Sequence, residues 1–363
     1  MSHIVIDARI INSSTGTYVE RLLHYLQQVD RVNDYTVLVP TKDRLFWRPT
    51  AKNFTVKTAD YANYSFGEQL GFKKFLDQLK PDLVHFCMPQ QPVFYKGKSV
   101  TTIHDLTLLR TYSSDKNWLM FHFKQLVGFF VFKRVISKSI YIITDTLFVQ
   151  KEVVDFSKKA INKTVPIYLS ADVTSTALIP YEQPYKRFIL YVGQQSDYKN
   201  IRRLGDAHQN LLKKYPELGL ILVGRKNASA LKNEAYFTSN NYKNILFTGF
   251  IENAQRDWLF KESAAYVFPS LMEGFGLPGL EAMGYGAPVI SSLATCLPEV
   301  YGKAAHYFDP YDITDIERAI DDVLSNDSLR DDLIQKGYEQ LKKYSWLRMA
   351  KQTHDVYIKA LKS

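Results

Sequence analysis

Two glutamates, Glu273 and Glu281, bracket a glycine-containing turn in the run FPSLMEGFGLPGLE (Phe268–Glu281). An apolar strand ends at Pro269-Ser270. Gly274, Gly276 and Gly279 follow, and a helix is predicted to start near Leu277–Gly279 with Pro278 in its first turn, where a missing N–H costs nothing. A strand–glycine–helix turn presents bare backbone N–H groups at a helix N-terminus, which is an anion site. Glycine also lets a diphosphate approach the backbone closely. Yet two carboxylates flank this turn and would repel a naked phosphate. They suit hydroxyl donors instead. A ligand with phosphates in its middle and polyols at both ends satisfies both facts, and a nucleotide-sugar is such a ligand.

Other residues with chemical potential sit at predicted strand ends. Gly193 closes RFILYVG and Gln194 follows it directly, with Lys199 a few residues on in YVGQQSDYKNIRRLGDAH (Tyr191–His208). Arg225 follows LILVG, and Phe250 and Ile251 follow NILFTG. His104 and Asp105 end SVTTIHDL, and Gly16 lies between the first strand and the first helix. A histidine there is either a substrate-facing group or a core-edge residue bonded to backbone. Asp105 either orients His104 or caps the next turn. Arg225 either supplies charge to a phosphate or is a solvated loop cation.

The frame that must place these residues is α/β. Strands at His3–Ile10, YTVLVP, FTVKTA, Leu83–Met88, Ser99–Leu106 and Ser139–Asp145 alternate with helices at Tyr18–Val29, Gly67–Leu79 and Asn117–Ser137. Strand–helix alternation implies parallel βαβ units. The pattern restarts at Arg187 after the proline-bearing stretch ALIPYEQPYKR. With 363 residues, two doubly wound domains are expected, 1–180 and 181–345, followed by a terminal helix from 346. Ligands of such sheets lie beyond the carboxyl ends of the strands, so two halves facing across a cleft would share one site.

Several classes are excluded. No G-x-G-x-x-G follows the first strand, which argues against a dinucleotide enzyme. Cys87 and Cys296 are far apart and lack metal-type spacing, so they read as free thiols of a reducing compartment. No window reaches the roughly 18 apolar residues of a membrane span, and MSHIVIDARII has no signal-peptide layout. A soluble cytoplasmic protein is expected. The net charge of +9 suits an anionic partner. No nucleic-acid motif accompanies it. The helix WLMFHFKQLVGFFVFKRVISK (Trp118–Lys138) reads either as a buried helix with a wet basic face or as a membrane-surface helix, so peripheral contact with an anionic inner membrane face stays open.

EGFGLPGLEAMGYGAPVISS resembles the donor-site signature of family 4 glycosyltransferases, the large retaining group 1 family with the GT-B fold of two Rossmann-like domains. The resemblance implies that Glu273 contacts the transferred sugar and Glu281 the ribose hydroxyls. It assigns sugar hydroxyls and phosphate to the backbone of Phe275, Gly276 and Leu277. Lys199 matches the family's lysine, which neutralises the leaving diphosphate. Gln194 stands where the family commonly has arginine, and that departure admits a second reading, a partner subunit or sugar-binding scaffold without turnover. His104 matches the histidine that faces the transferred sugar, Gly16 the loop near the donor phosphate, and Phe250 and Ile251 the turn beside the base. The resemblance implies a hexose-type transfer from a UDP- or GDP-sugar to a glycan or lipid-linked acceptor in polysaccharide or glycoconjugate assembly. No cofactor is expected, and no required metal, since no D-x-D pair sits in a suitable loop. The terminal helix resembles one that crosses back to the first domain.

Overall fold

The computed structural model describes residues 1–13, 15–110, 118–173 and 177–363, with backbone alone for 118–124. Ser14 of the first loop and Asn117 of the long predicted helix lie outside that set. The chain forms two compact units. The first holds Met1–Leu109, His122–Leu169 and Ser345–Ser363, and the second Arg110–Phe121 and Ser170–Tyr344.

The first unit carries a seven-stranded sheet. Its strands are β1 (His3–Asp7), β2 (Asp34–Val39), β3 (Phe54–Thr58), β4 (Leu83–Phe86), β5 (Ser99–Ile103), β6 (Tyr141–Thr144) and β7 (Thr164–Pro166), in the order β3-β2-β1-β4-β5-β6-β7. Every pairing is parallel. Such sheets are covered on both faces, which explains their nearly unbroken apolar runs. Buried between β4, β5 and the helix Trp346–Lys362 lies a polar chain. His85 Nδ1 meets the Tyr357 hydroxyl at 2.6 Å and its Nε2 meets Thr102 Oγ1 at 2.8 Å, while Tyr18 Oη reaches Thr102 at 2.9 Å. Burial holds the His85 imidazolium down at about pKa 3, with the nearby His104 adding to it, so His85 is neutral. The predicted helix Gly67–Leu79 is wider at its start: Gly67–Phe72 is π-helix, and Glu68 there turns inward to Arg9 at 3.0 Å.

The second unit repeats the plan with six parallel strands. They are β8 (Arg187–Val192), β9 (Leu218–Val223), β10 (Ile245–Gly249), β11 (Ala265–Phe268), β12 (Val289–Ser292) and β13 (Ala305–Phe308), in the order β10-β9-β8-β11-β12-β13. Parallel strands put all their carboxyl ends on one edge, so the loops after β8 to β12 share that edge.

Candidate donor-binding site

The site of the second unit is assembled from those loops. After β8 the chain makes a short 3-10 turn, Asp197–Lys199, and Asn200 follows at φ 61°. Asparagine tolerates that left-handed conformation better than most residues. Its carboxamide donates to the carbonyls of Pro269 (3.1 Å) and Pro310 (2.7 Å) and accepts from Arg203 (2.9 Å). The Leu271 N–H bonds the Tyr198 carbonyl at 2.8 Å. The Lys199 turn is thereby laced to the loop after β11.

That lacing brings Lys199 and Glu273 together across 74 residues of sequence. The ammonium donates to Glu273 Oε1 at 2.5 Å, and the two side chains are only 13% and 12% exposed. Burial alone would lower the lysine's proton affinity. The Glu273 carboxylate, with Tyr191 and Tyr198 assisting, more than reverses this and holds Lys199 above the ordinary lysine value. Lys199 is therefore a fixed cation at neutral pH. It also lies 5.4 Å from the centre of the Phe268 ring.

Glu273 is held from the next strand along. Its N–H donates to Thr295 Oγ1 (3.1 Å), and Cys296 Sγ donates to its carbonyl (3.2 Å). Neither residue stands out in the sequence, because both are defined by the loop after β12 and not by the glutamate motif.

Gly276 caps the helix Leu277–Gly284 at φ 91°. The Tyr301 ring lies against this turn: a Cβ on Gly276 would stand 2.5 Å from the Tyr301 hydroxyl, and one on Gly279 2.3 Å from its ring. That hydroxyl donates to the Gly276 carbonyl at 2.5 Å. The sequence reading gave these glycines to close approach by a phosphate. In the structure, their missing side chains also make room for Tyr301. Among the described residues, the N–H groups of Gly276 and Leu277 have no protein acceptor. Phe275 is 4% exposed and packs edge-on against Tyr344, so its side chain serves the core.

Glu281 lies one turn into that helix. Burial raises its carboxyl above the ordinary value. Arg256 opposes this, while Asp257 and Asp172 add to it. Arg256 is itself paired with Asp257 at 2.6 Å.

The other strand ends carry the remaining candidates. Gly224 sits so close to Gly193 that a Cβ would fall 2.1 Å from the Gly193 carbonyl oxygen. The loops bearing Gln194 and Arg225 are therefore neighbours. Gln194 is exposed, and its carbonyl accepts from Tyr191. Arg225 is exposed too, with its guanidinium 5.3 Å from the centre of the Phe250 ring. Phe250 is 72% exposed and Ile251 is half-buried. Arg225 and Phe250 thus form a solvent-facing cation–aromatic pair at the ends of β9 and β10.

The candidates of the first unit are more heavily committed. His104 donates its Nδ1 proton toward Asp145 (2.7 Å), and its Nε2 meets the Cys87 carbonyl (3.1 Å). Burial lowers its proton affinity, but Asp145 outweighs that and raises the imidazole above its ordinary value. Asp105 does not orient it. Asp105 accepts from the Thr107 N–H at 2.8 Å and caps the short helix that follows, and Asp145 at the end of β6 takes the orienting position. Gly16 presents no spare N–H, because that group donates to the Ser13 carbonyl at 2.9 Å. Its lack of a side chain answers to Ile11, whose carbonyl oxygen would lie 1.9 Å from a Cβ.

The comparisons with known proteins bear on the family and the fold. Residues 181–340 match the family model described as glycosyl transferases group 1. The O-antigen chain mannosyltransferase B of Escherichia coli is 29% identical over 282 residues, covering 72% of this chain and 70% of that protein. The serotype-specific mannosyltransferase WbdA of Escherichia coli is 29% identical over 388 residues, covering 98% of this chain but only 47% of that protein. The chain therefore spans about half the length of the second relative. Among solved structures, sucrose-phosphate synthase from Thermosynechococcus elongatus superposes with a TM-score of 0.78 over 99% of both chains at 17% identity. HepE of Anabaena, solved in complex with UDP and glucose, does so with a TM-score of 0.71 over 99% of this chain and 100% of that one at 14% identity. At such identities the likeness establishes the fold, which is GT-B.

Proposed function

Starting from a chain whose residues 181–340 belong to the group 1 glycosyltransferases, we propose that it transfers a hexose from a nucleoside-diphosphate-sugar, with retention, to a glycan or lipid-linked acceptor. The single observation that carries this reading is the Lys199–Glu273 pair at 2.5 Å, next to a helix start whose Gly276 and Leu277 N–H groups have no protein acceptor. A permanent cation and two backbone donors suit a leaving diphosphate, for about 1.5–3 kcal/mol per charge-assisted bond. Glu273 holds Lys199 until the donor binds. With the phosphate in place, Lys199 turns to it and the glutamate is released to accept from sugar hydroxyls. Glu281 serves the ribose at the other end of the ligand, with Phe250 and Ile251 beside the base. Arg225 supplies the charge that Gln194 lacks.

Cleavage of the sugar–phosphate bond develops positive charge on the anomeric carbon and negative charge on the departing oxygen. Stabilisation is then electrostatic and positional. The diphosphate oxygen accepts the acceptor's proton as the new bond forms on the same face. No metal enters this scheme, because Lys199 and the helix N–H groups take the leaving charge, and turnover should survive chelator. The relatives' names favour a mannosyl donor in O-antigen-like glycan assembly, with GDP- and UDP-mannose the first donors to assay. Role for role, His104 is a positioning group for the sugar, held by Asp145.

The decisive experiment is Glu273→Gln, assayed for nucleoside diphosphate release with and without acceptor. Transfer should fall at least about 100-fold, as when one group acting on the transition state is lost. Nucleotide affinity should stay within a few fold. Normal turnover would remove Glu273 from the mechanism.

A further inference from the structure

The helix Trp118–Lys138 departs from the reading of a buried helix with a wet basic face. Val127, Val131 and Val135 pack with Val93, and Phe132 and Ile136 join a core with Ile103 and Val149. What remains outward is apolar. Leu126 is 68% exposed, Phe129 43% and Phe130 55%, and Lys133 continues the stripe. These positions are spaced i, i+3, i+4, i+7, the face that water should find polar.

The loop carrying Val93 extends the patch. Phe94 is 53% exposed, with the Arg134 guanidinium 6.0 Å from its ring centre, and Lys133 lies 4.4 Å from that of Phe129. The surroundings are cationic. Lys138 donates to the Tyr95 carbonyl at 2.9 Å, and beyond its burial the charges that act on it are Arg134, Lys96 and Lys73. Lys73 has a partner in Asp77. The sequence has no Asp or Glu from 83 to 104 or from 116 to 144, stretches that contain Lys96, Lys98, Lys133, Arg134 and Lys138.

We propose that this face is a peripheral membrane-binding surface selective for anionic lipid. Leu126, Phe129, Phe130 and Phe94 enter the interfacial layer, and Lys96, Lys133 and Arg134 meet the headgroup phosphates. Charge complementarity selects this occupant. A second copy would set one cationic rim against another, and no helix among the described residues is long and apolar enough to cross the bilayer. The surface is independent of the transferase reading, since no donor-site residue takes part.

The test is co-sedimentation of the full chain with vesicles of phosphatidylcholine alone or mixed with phosphatidylglycerol. Binding should appear with the mixed vesicles only and weaken as salt rises. Lys96→Glu with Lys133→Glu should cut partitioning by about fivefold or more per charge. Leu126→Ser with Phe130→Ser should abolish it while the melting temperature holds. Three results would overturn the proposal: equal binding to neutral vesicles, no binding, or binding that neither pair changes. Concentration-dependent self-association that the serine pair removes would also overturn it, in favour of a contact between copies.

Discussion

Lys199 and Glu273 neutralise one another, so under the proposed function a donor phosphate competes with a carboxylate for the same ammonium. Glu281 differs, because burial raises its carboxyl and Arg256 only partly offsets this. A ribose hydroxyl donates best to the charged form. As pH falls through that raised value, Glu281 protonates and becomes a weaker, uncharged acceptor, earlier than an ordinary glutamate near about 4.3. Nucleoside diphosphate affinity should therefore weaken on acidification more steeply in the parent than in Glu281→Gln. Titration calorimetry of both proteins across pH reads the difference, and parallel profiles would remove Glu281 from the ribose site. The motif made this residue and Glu273 legible from the sequence, since strand, glycines and helix lie in one short run. Their supports were not. Thr295 and Cys296 grip Glu273 from the following strand's loop, and Asp145 reaches His104 from β6. The one available signal for Asp145 was its place directly after a strand, the place His104 itself occupies after β5.

At the scale of elements, the glycine turn and Tyr301 act as one part. Gly276 adopts φ 91°, and the Tyr301 hydroxyl fills the space a Cβ would take. Gly276→Ala should lose about 1–3 kcal/mol through backbone strain and overlap. Combining it with Tyr301→Phe removes the overlapping oxygen, so the double variant should lose less than the sum of the two singles. Urea denaturation of the four proteins measures this, and strict additivity would mean the ring does not define the turn. Long apolar strands such as β8 and β9 could be read from sequence because both their faces are covered. The helices Leu147–Phe156 and Ala228–Ser239 could not. The first fully buries Val149 and Val153, with Phe148, Val154 and Phe156 half-covered around them, and the second buries Ser229 and Asn233 beside Ala230 and Phe237. Neither offers a clean apolar stripe.

The whole molecule pairs two sheets of the same winding, but only the first unit draws on three separate stretches of chain. Its third stretch, Ser345–Ser363, brings Tyr357 to His85, which is fully buried. Tyr357→Phe leaves His85 Nδ1 without a partner and should cost about 1–3 kcal/mol. Limited proteolysis should then cut within 1–109 sooner than within 177–344, while the thermal shift caused by nucleotide persists. Equal susceptibility of both regions would show that the contact does not hold the first unit. The pairing of these distant stretches is invisible to any local pattern, since His85 and Tyr357 lie 272 residues apart.

That arrangement also sets a timetable for synthesis. A ribosome delivers roughly 5–20 residues per second, so β4 and β5 emerge well before the helix that covers His85. During that interval the second unit has all of its strands and can finish first, although it is made later. Until residue 357 appears, His85 must find its partner in water, and the parts of β4 and β5 that the last helix covers stay open.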